Sequence, residues 1–543
     1  MFAGSGRPSI EAPLILKGEP MPITGKSMRW AAVAASVLLT AGALPIAGAH
    51  SALAADAAGP GTVRTPARYL DQHLDWRPCA SGALECAAMA VPRDWHHPEQ
   101  GPGLTVAVSR HRATDTAGRR GVLMMAAGGP GASGLTRPAG LANYAPALAA
   151  TYDIVGFDQR GVGSSSKVTC ADQSAVDGYF SGDKRDRSAD AIRETFARAR
   201  AFVRDCQRHS NDLLPYITTE QAVHDMDLYR SLLGADTISY YGPSYATVLG
   251  ASYATEFPHR VARMVLDSNV DYTGTWQSFM EGQPLSFQRR FEEDFLPWLA
   301  KNDGVYHQGR TPAQAKASFE RLRARLHAHP LVLDGTTITP DHLDALTSSA
   351  IYRADPGFEN LATALTVLEH PDTAPPAAEQ SLAKALAHPI DAGFAADFFS
   401  VVCNDTPWNR SSAYLIAQSD RATRDYPLAG ARSLTYSAVC AAWPRSTAPR
   451  IHVTGRGLPP ILMLNSVHDP ATYYEGALRD HRALPTSRLV TVAGGGDHGQ
   501  FQNHNACVDN LVEGYLADGT LPRTDTTCAA DPLPVPGPAA TRA

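Results

Sequence analysis

Six apolar runs, each closed by glycine, serine or aspartate, constrain the fold more than any other feature. They are "GVLMMAAGGPGASG", "YDIVGFDQRGVGSS", "TISYYGPSYATVLG", "RMVLDSNVD", "PPILMLNSVHDPATY" and "SRLVTVAGGGDHGQF". Each starts without polar alternation, which is the mark of a strand buried on both faces. Helical patterns lie between them. In "TEQAVHDMDLYRSLLGA", Ala222, Met226, Tyr229 and Leu233 share one face and Gly234 supplies a stop. Strand followed by helix, repeated, predicts an α/β fold with a mostly parallel sheet and helices on both faces. Two further strand-like runs, "LECAAMAVPRDW" and "GLTVAVSRHRA", precede this series.

The pattern changes between Thr273 and Arg450, where helical segments dominate. "TPAQAKASFERLRARLHAHP" has Thr311 as a cap, Pro312 at the first helical position, and Phe319, Leu322 and Leu326 on one stripe. "TPDHLDALTSSAIY" repeats the Thr-Pro start. The organisation expected is a leader at 1–54, a core at 65–272 and 451–530, a helical lid at 273–450 and a flexible tail at 531–543.

Composition sets the compartment and excludes some partners. Net charge is −6 with acids and bases interspersed, so nucleic acid is not an expected partner. Lys26 and Arg29 precede an apolar run from Trp30 to Ala43, then small-x-small sites at Ala47-Gly48-Ala49 and Ala52-Leu53-Ala54. That run has signal-peptide length and is shorter than the roughly 20 residues of a membrane span. The expectation is a secreted chain with no stable membrane association after cleavage; an uncleaved anchor is the alternative. Residues before Met21 or Met28 read as a leader extension or a misplaced start. Eight cysteines in an exported chain predict disulfides. Pairing of sequence neighbours is the simplest arrangement, Cys79–Cys86, Cys170–Cys206, Cys403–Cys440 and Cys507–Cys528, with other connectivities open. No cysteine or histidine cluster has metal spacing, and no metal or cofactor is expected.

The chemistry centres on Ser244. A serine hydroxyl needs a base, an orienter for that base and donors for an oxyanion. "YYGPSYAT" sits between a strand and a helix, where a sharp turn demands small neighbours. Gly242 and Ala246 supply them, although Ala246 replaces the second glycine of Gly-x-Ser-x-Gly. An ordinary Gly-Pro loop is the bland alternative. The oxyanion donors expected are the backbone N–H group of Tyr245 and one from the glycine loop; Pro130 has none, which leaves Gly128, Gly129 or a later residue, with Gly129 preferred. Downstream, Asp469 and His498 each follow an apolar strand, in the order serine, acid, base. Their neighbours His468 and Asp497, and Asp480 and His481 between them, are the competing choices. Asp158 and Arg160 read as a structural ion pair or turn network fixing the loop beside the oxyanion donors, with substrate binding as the alternative.

Together "GGPGASG", "FDQRGVGSS", "YYGPSYAT", "LDSNVD", "HDPATYYEGA" and "GGGDHGQF" resemble the secreted bacterial tripeptidyl aminopeptidases. These are α/β-hydrolases close to the proline iminopeptidases. The resemblance spans about Trp76 to Cys528 and includes the ending "CVDNLVEGYLADGTLP…C". It implies an α/β-hydrolase fold, Ser244 as nucleophile, Asp469 as acid, His498 as base, and removal of short peptides, tripeptides among them, from free N-termini. Ala246 departs from the family pattern. Recognition of a cationic α-amine calls for carboxylates in the lid, and Asp405, Glu292 and Glu293 are the candidates. The competing readings are a carboxylesterase or lactonase with the same triad, and a catalytically dead binding protein.

Overall fold

The computed structural model describes residues 65–536, and the leader reading lies outside the described residues. In chain order the strands are β1 (Arg77–Cys79), β2 (Leu84–Val91), β3 (Leu104–His111), β4 (Gly121–Met125), β5 (Tyr152–Phe157), β6 (Ile238–Pro243), β7 (Val261–Asp267), β8 (Leu331–Leu333), β9 (Thr336–Ile338), β10 (Leu462–Ser466), β11 (Arg488–Ala493) and β12 (Thr526–Ala529). Ten of them form one sheet, ordered β1-β2-β3-β5-β4-β6-β7-β10-β11-β12. From β5 to β12 every pairing is parallel, while β1, β2, β3 and β5 pair antiparallel at one side. Parallel neighbours require long crossovers, which is why helices intervene between these strands.

Both faces of the parallel part are covered. Met124, Tyr240, Met264 and Met463 enter one apolar cluster. Their strand neighbours Leu123, Tyr241, Val265 and Leu464 enter another. Successive side chains point to opposite faces, so a strand buried on both faces must be apolar at every position.

Helices carry the chain from Trp276 to Ala442, interrupted by the β8–β9 hairpin. Thr311 caps Pro312–Ala328 by accepting from the Gln314 N–H. This helical layer has its own core. Phe287, Phe291 and Phe295, spaced four apart, pack with Trp298, Phe319 and Phe358. Trp276–Arg289 runs directly into a π-helical turn, Arg290–Phe295, and then into Leu296–Lys301. A π-turn widens the helix by one residue and re-aims the side chains around it.

Every cysteine is paired with its sequence neighbour: Cys79–Cys86, Cys170–Cys206, Cys403–Cys440 and Cys507–Cys528. Cys403–Cys440 joins the helices Ala392–Asp405 and Ser433–Ala442 inside the helical layer.

Candidate active site

The turn between β6 and the helix Tyr245–Glu256 holds Ser244 at φ 61°, ψ −130°. A non-glycine residue there costs about 1–3 kcal/mol, so the surroundings must impose it. The Ser244 N–H donates to the Asp267 carbonyl (2.8 Å), and the Ser244 carbonyl accepts from the Thr247 N–H (2.8 Å) and hydroxyl (2.6 Å). Small neighbours make room. A methyl on Gly128 would sit 2.9 Å from Ser244 Cβ and 3.3 Å from its Oγ. One on Gly242 would sit 2.6 Å from the Tyr240 ring and 2.8 Å from Ala246 Cβ. The Ala246 methyl therefore occupies space that Gly242 leaves, and Tyr240 donates its hydroxyl hydrogen to the Ala246 carbonyl (2.6 Å).

His498 follows β11. Its Nδ1–H donates to Asp469, 2.9 Å from Oδ1 and 3.0 Å from Oδ2. Asp469 is wholly buried and Oδ1 also accepts from the Ala471 and Thr472 N–H groups at 2.9 and 2.8 Å. These donors orient the carboxylate. The His498 N–H donates to the Tyr352 carbonyl (2.7 Å), and the Tyr352 ring meets the imidazole edge-on at 5.1 Å. With Nδ1 committed, Nε2 is the ring atom left to take a proton.

Asp267, not singled out as a site residue from sequence, joins the two halves. Its carbonyl holds the Ser244 turn, while its buried carboxylate accepts from the Gln500 N–H (2.9 Å), the Phe501 N–H (3.0 Å) and the Tyr241 hydroxyl (3.0 Å). Ser268 accepts from the Gly499 N–H at 2.8 Å. The signal was available: Asp267 ends an apolar strand, as Asp469 follows one.

The glycine loop after β4 carries Gly129 at φ 114°. Asp158 anchors the far end of this loop, accepting from the Ser133 hydroxyl (2.6 Å) and the Gly134 N–H (2.9 Å). Arg160 does not pair with Asp158; it reaches Asp225 at 2.6 Å, both buried. The two residues thus sit in separate hydrogen-bond networks.

Of the three carboxylates expected to meet an amine, Asp405 accepts from the Thr219 N–H (2.8 Å) and hydroxyl (2.5 Å) and from Trp276 Nε1 (3.2 Å). Burial pushes it up to about 6 against these donors. It lines a pocket with Glu220, Asp271, Trp276 and Phe279 that includes none of Ser244, Asp469 or His498. Glu292 pairs with Lys316 and accepts from Gln288 Nε2 (2.8 Å). Glu293 is largely exposed and lies 3.5 Å from His468 Nε2, so it stands nearest the acid loop.

Another carboxyl packs against the glycine loop. Asp397, on Ala392–Asp405, is 3% exposed and its Oδ1 has no hydrogen-bond partner among the described residues. A methyl on Gly131 would lie 3.2 Å from its Cβ, and Phe394 of the same helix packs against Gly129. Burial first, then the Asp391 and Asp158 charges, push Asp397 well above the usual carboxylate range. A raised folded-state value means its contribution to stability is complete below the unfolded-state value. That contribution is lost as pH rises through the folded-state value. Asp397→Asn removes the ionisation. Its melting temperature relative to the unsubstituted protein is expected to climb from about pH 4 to pH 8, by at least about 1 °C. A pH-independent difference between the two melting curves would contradict this.

A parallel sheet that delivers a serine, an aspartate and a histidine, in that chain order, to its carboxyl edge defines an α/β-hydrolase of the serine type. The comparisons with known proteins agree. The family described as TAP-like protein matches residues 426–528. A tripeptidyl aminopeptidase of Streptomyces lividans is 34% identical over 88% of this chain and 90% of its own length. The serine protease Hip1 of Mycobacterium tuberculosis is 28% identical over 92% and 97%. A carboxylesterase B of the same species is 30% identical over 90% and 96%. The chain belongs to the tripeptidyl aminopeptidase family and is a serine hydrolase of the aminopeptidase type.

Proposed function

We propose that this protein is a secreted serine exopeptidase that releases short peptides, tripeptides among them, from free N-termini. Ser244 attacks the scissile carbonyl and His498 Nε2 takes its proton. Asp469 orients the imidazole and stabilises the imidazolium, and the N–H groups of Tyr245 and Gly129 receive the oxyanion. His498 then protonates the leaving amine, and water hydrolyses the acyl-enzyme. The observation that carries this reading is His498 Nδ1 held by the buried Asp469 while Ser244 stands in a strained strand-to-helix turn. Peptides are the substrates, and the helical segment 273–450 acts as a lid that admits chain ends. Four disulfides favour an oxidising compartment.

The 30% identical carboxylesterase B gives an esterase reading its support. One assay separates the two. A tripeptidyl nitroanilide with a free amine is expected to be cleaved at least about 100-fold faster than its acetylated form, because a site built for an ammonium group rejects a neutral amide. Product masses should show an intact tripeptide. Rapid turnover of a short nitrophenyl ester, with neither anilide cleaved, would overturn the peptidase reading.

A further inference from the structure

Among the contacts between the helical layer and the two loops that carry Asp469 and His498, one guanidinium reaches toward both loops at once. Arg290 lies in the π-helical turn and is wholly buried. Its Nη2 donates to Asp497 Oδ1 (2.5 Å), its Nη1 to Asp294 Oδ2 (2.6 Å) and its Nε to the Ile351 carbonyl (3.2 Å). The guanidinium also stands 4.9 Å from the Phe358 ring centroid. Asp497 immediately precedes His498. It also accepts from the Ala354 N–H (2.9 Å) and from Asn503 Nδ2 (3.0 Å).

The other carboxylate leads to the acid. Asp294 Oδ1 accepts from His468 Nδ1 (2.9 Å), and that hydrogen bond pushes His468 upward. His468 immediately precedes Asp469, and its N–H donates to the Gly495 carbonyl (3.1 Å). The packing leaves no slack. A methyl on Gly496 would lie 2.6 Å from the His468 carbonyl oxygen and 2.7 Å from Arg290 Nη1.

We infer that Arg290 is a positioning residue, which fixes the acid and base loops relative to each other by binding the neighbour of each through Asp294 and Asp497. This rests on the assignment of Asp469 and His498 as acid and base. A planar guanidinium spans two carboxylates with donors in fixed directions; a lysine ammonium has three rotating donors on a single atom and fixes neither carboxylate's direction. Removing it deprives two buried or half-buried carboxylates of their guanidinium partner, so a stability effect accompanies any effect on positioning. The test must separate the two.

Three variants of the full chain serve: Arg290→Lys, Arg290→Met, and Arg290→Met/Asp294→Asn/Asp497→Asn, which also removes the two carboxylate charges that Arg290 pairs with. Each is measured for kcat, KM and melting temperature on a free-amine tripeptidyl nitroanilide. Displacing a general base by about 1 Å costs about 10²-fold in rate, so Arg290→Met should lose about that in kcat with KM within about threefold. Arg290→Lys should fall between. The triple variant should recover melting temperature without recovering kcat. Recovery of kcat together with melting temperature in that variant would overturn the proposal, as would near-native kcat in a folded Arg290→Met. If Arg290→Met does not fold, the other two variants decide. Ser244→Ala runs beside them. Full activity there would sink the triad assignment; an inactive Ser244→Ala with near-native Arg290 variants would sink the positioning role alone.

Discussion

Replacing Ser244 by alanine is expected to lower kcat by about 10⁴-fold or more and leave KM within about threefold. The hydroxyl is the only atom lost, and the turn that presents it is held by backbone bonds to Asp267 and Thr247. Asp469→Asn should lose about 10³- to 10⁴-fold for a different reason. Two backbone N–H groups, of Ala471 and Thr472, point at Oδ1. They would bind the asparagine carbonyl and turn its amide toward His498 Nδ1. The imidazole would then have to accept at Nδ1 and carry its proton on Nε2, where it cannot receive one from serine. Steady-state kinetics on both variants checks this. Wild-type kcat in either would refute the assignment.

Gly242→Ala is expected to destabilise the fold by about 3 kcal/mol, the upper end for overpacking a core. The new methyl would meet Tyr240 on one side and Ala246 on the other. Ala246→Gly in the same chain removes one of these two obstructions, so the double variant should recover part of the loss. The coupling between the sites is then nonzero, as contacting residues require. Denaturant melts of the two single variants and the double variant measure it. Strict additivity would mean that the two positions do not share space. The alanine that breaks the Gly-x-Ser-x-Gly pattern is thus one half of a packing pair.

The sheet was readable because its strands are buried on both faces and so spell unbroken apolar runs. The strand-end positions of Ser244, Asp469 and His498 were readable for the same reason: each polar group interrupts or follows such a run. Arg290 was not, because nothing in "RRFEEDFLPW" announces a π-turn. The partners that give Arg290 meaning, Asp497 and Ile351, lie far off in the chain. Asp405 shows the same limit. Its sequence context marks an acid near a cysteine, but only the fold reveals that Thr219 and Trp276 already occupy its oxygens. Asp267 fell between, marked by its place at a strand end but not by its partners.

The disulfides close loops of 7, 36, 37 and 21 residues, and none spans another. Each bond can therefore be completed before the next cysteine pair has entered the same compartment. A chain threaded through a membrane from its N-terminus would meet its correct partners in order of arrival. It would bypass the search among about a hundred pairings that eight cysteines permit. Order of emergence, not reshuffling, would then select the bonds.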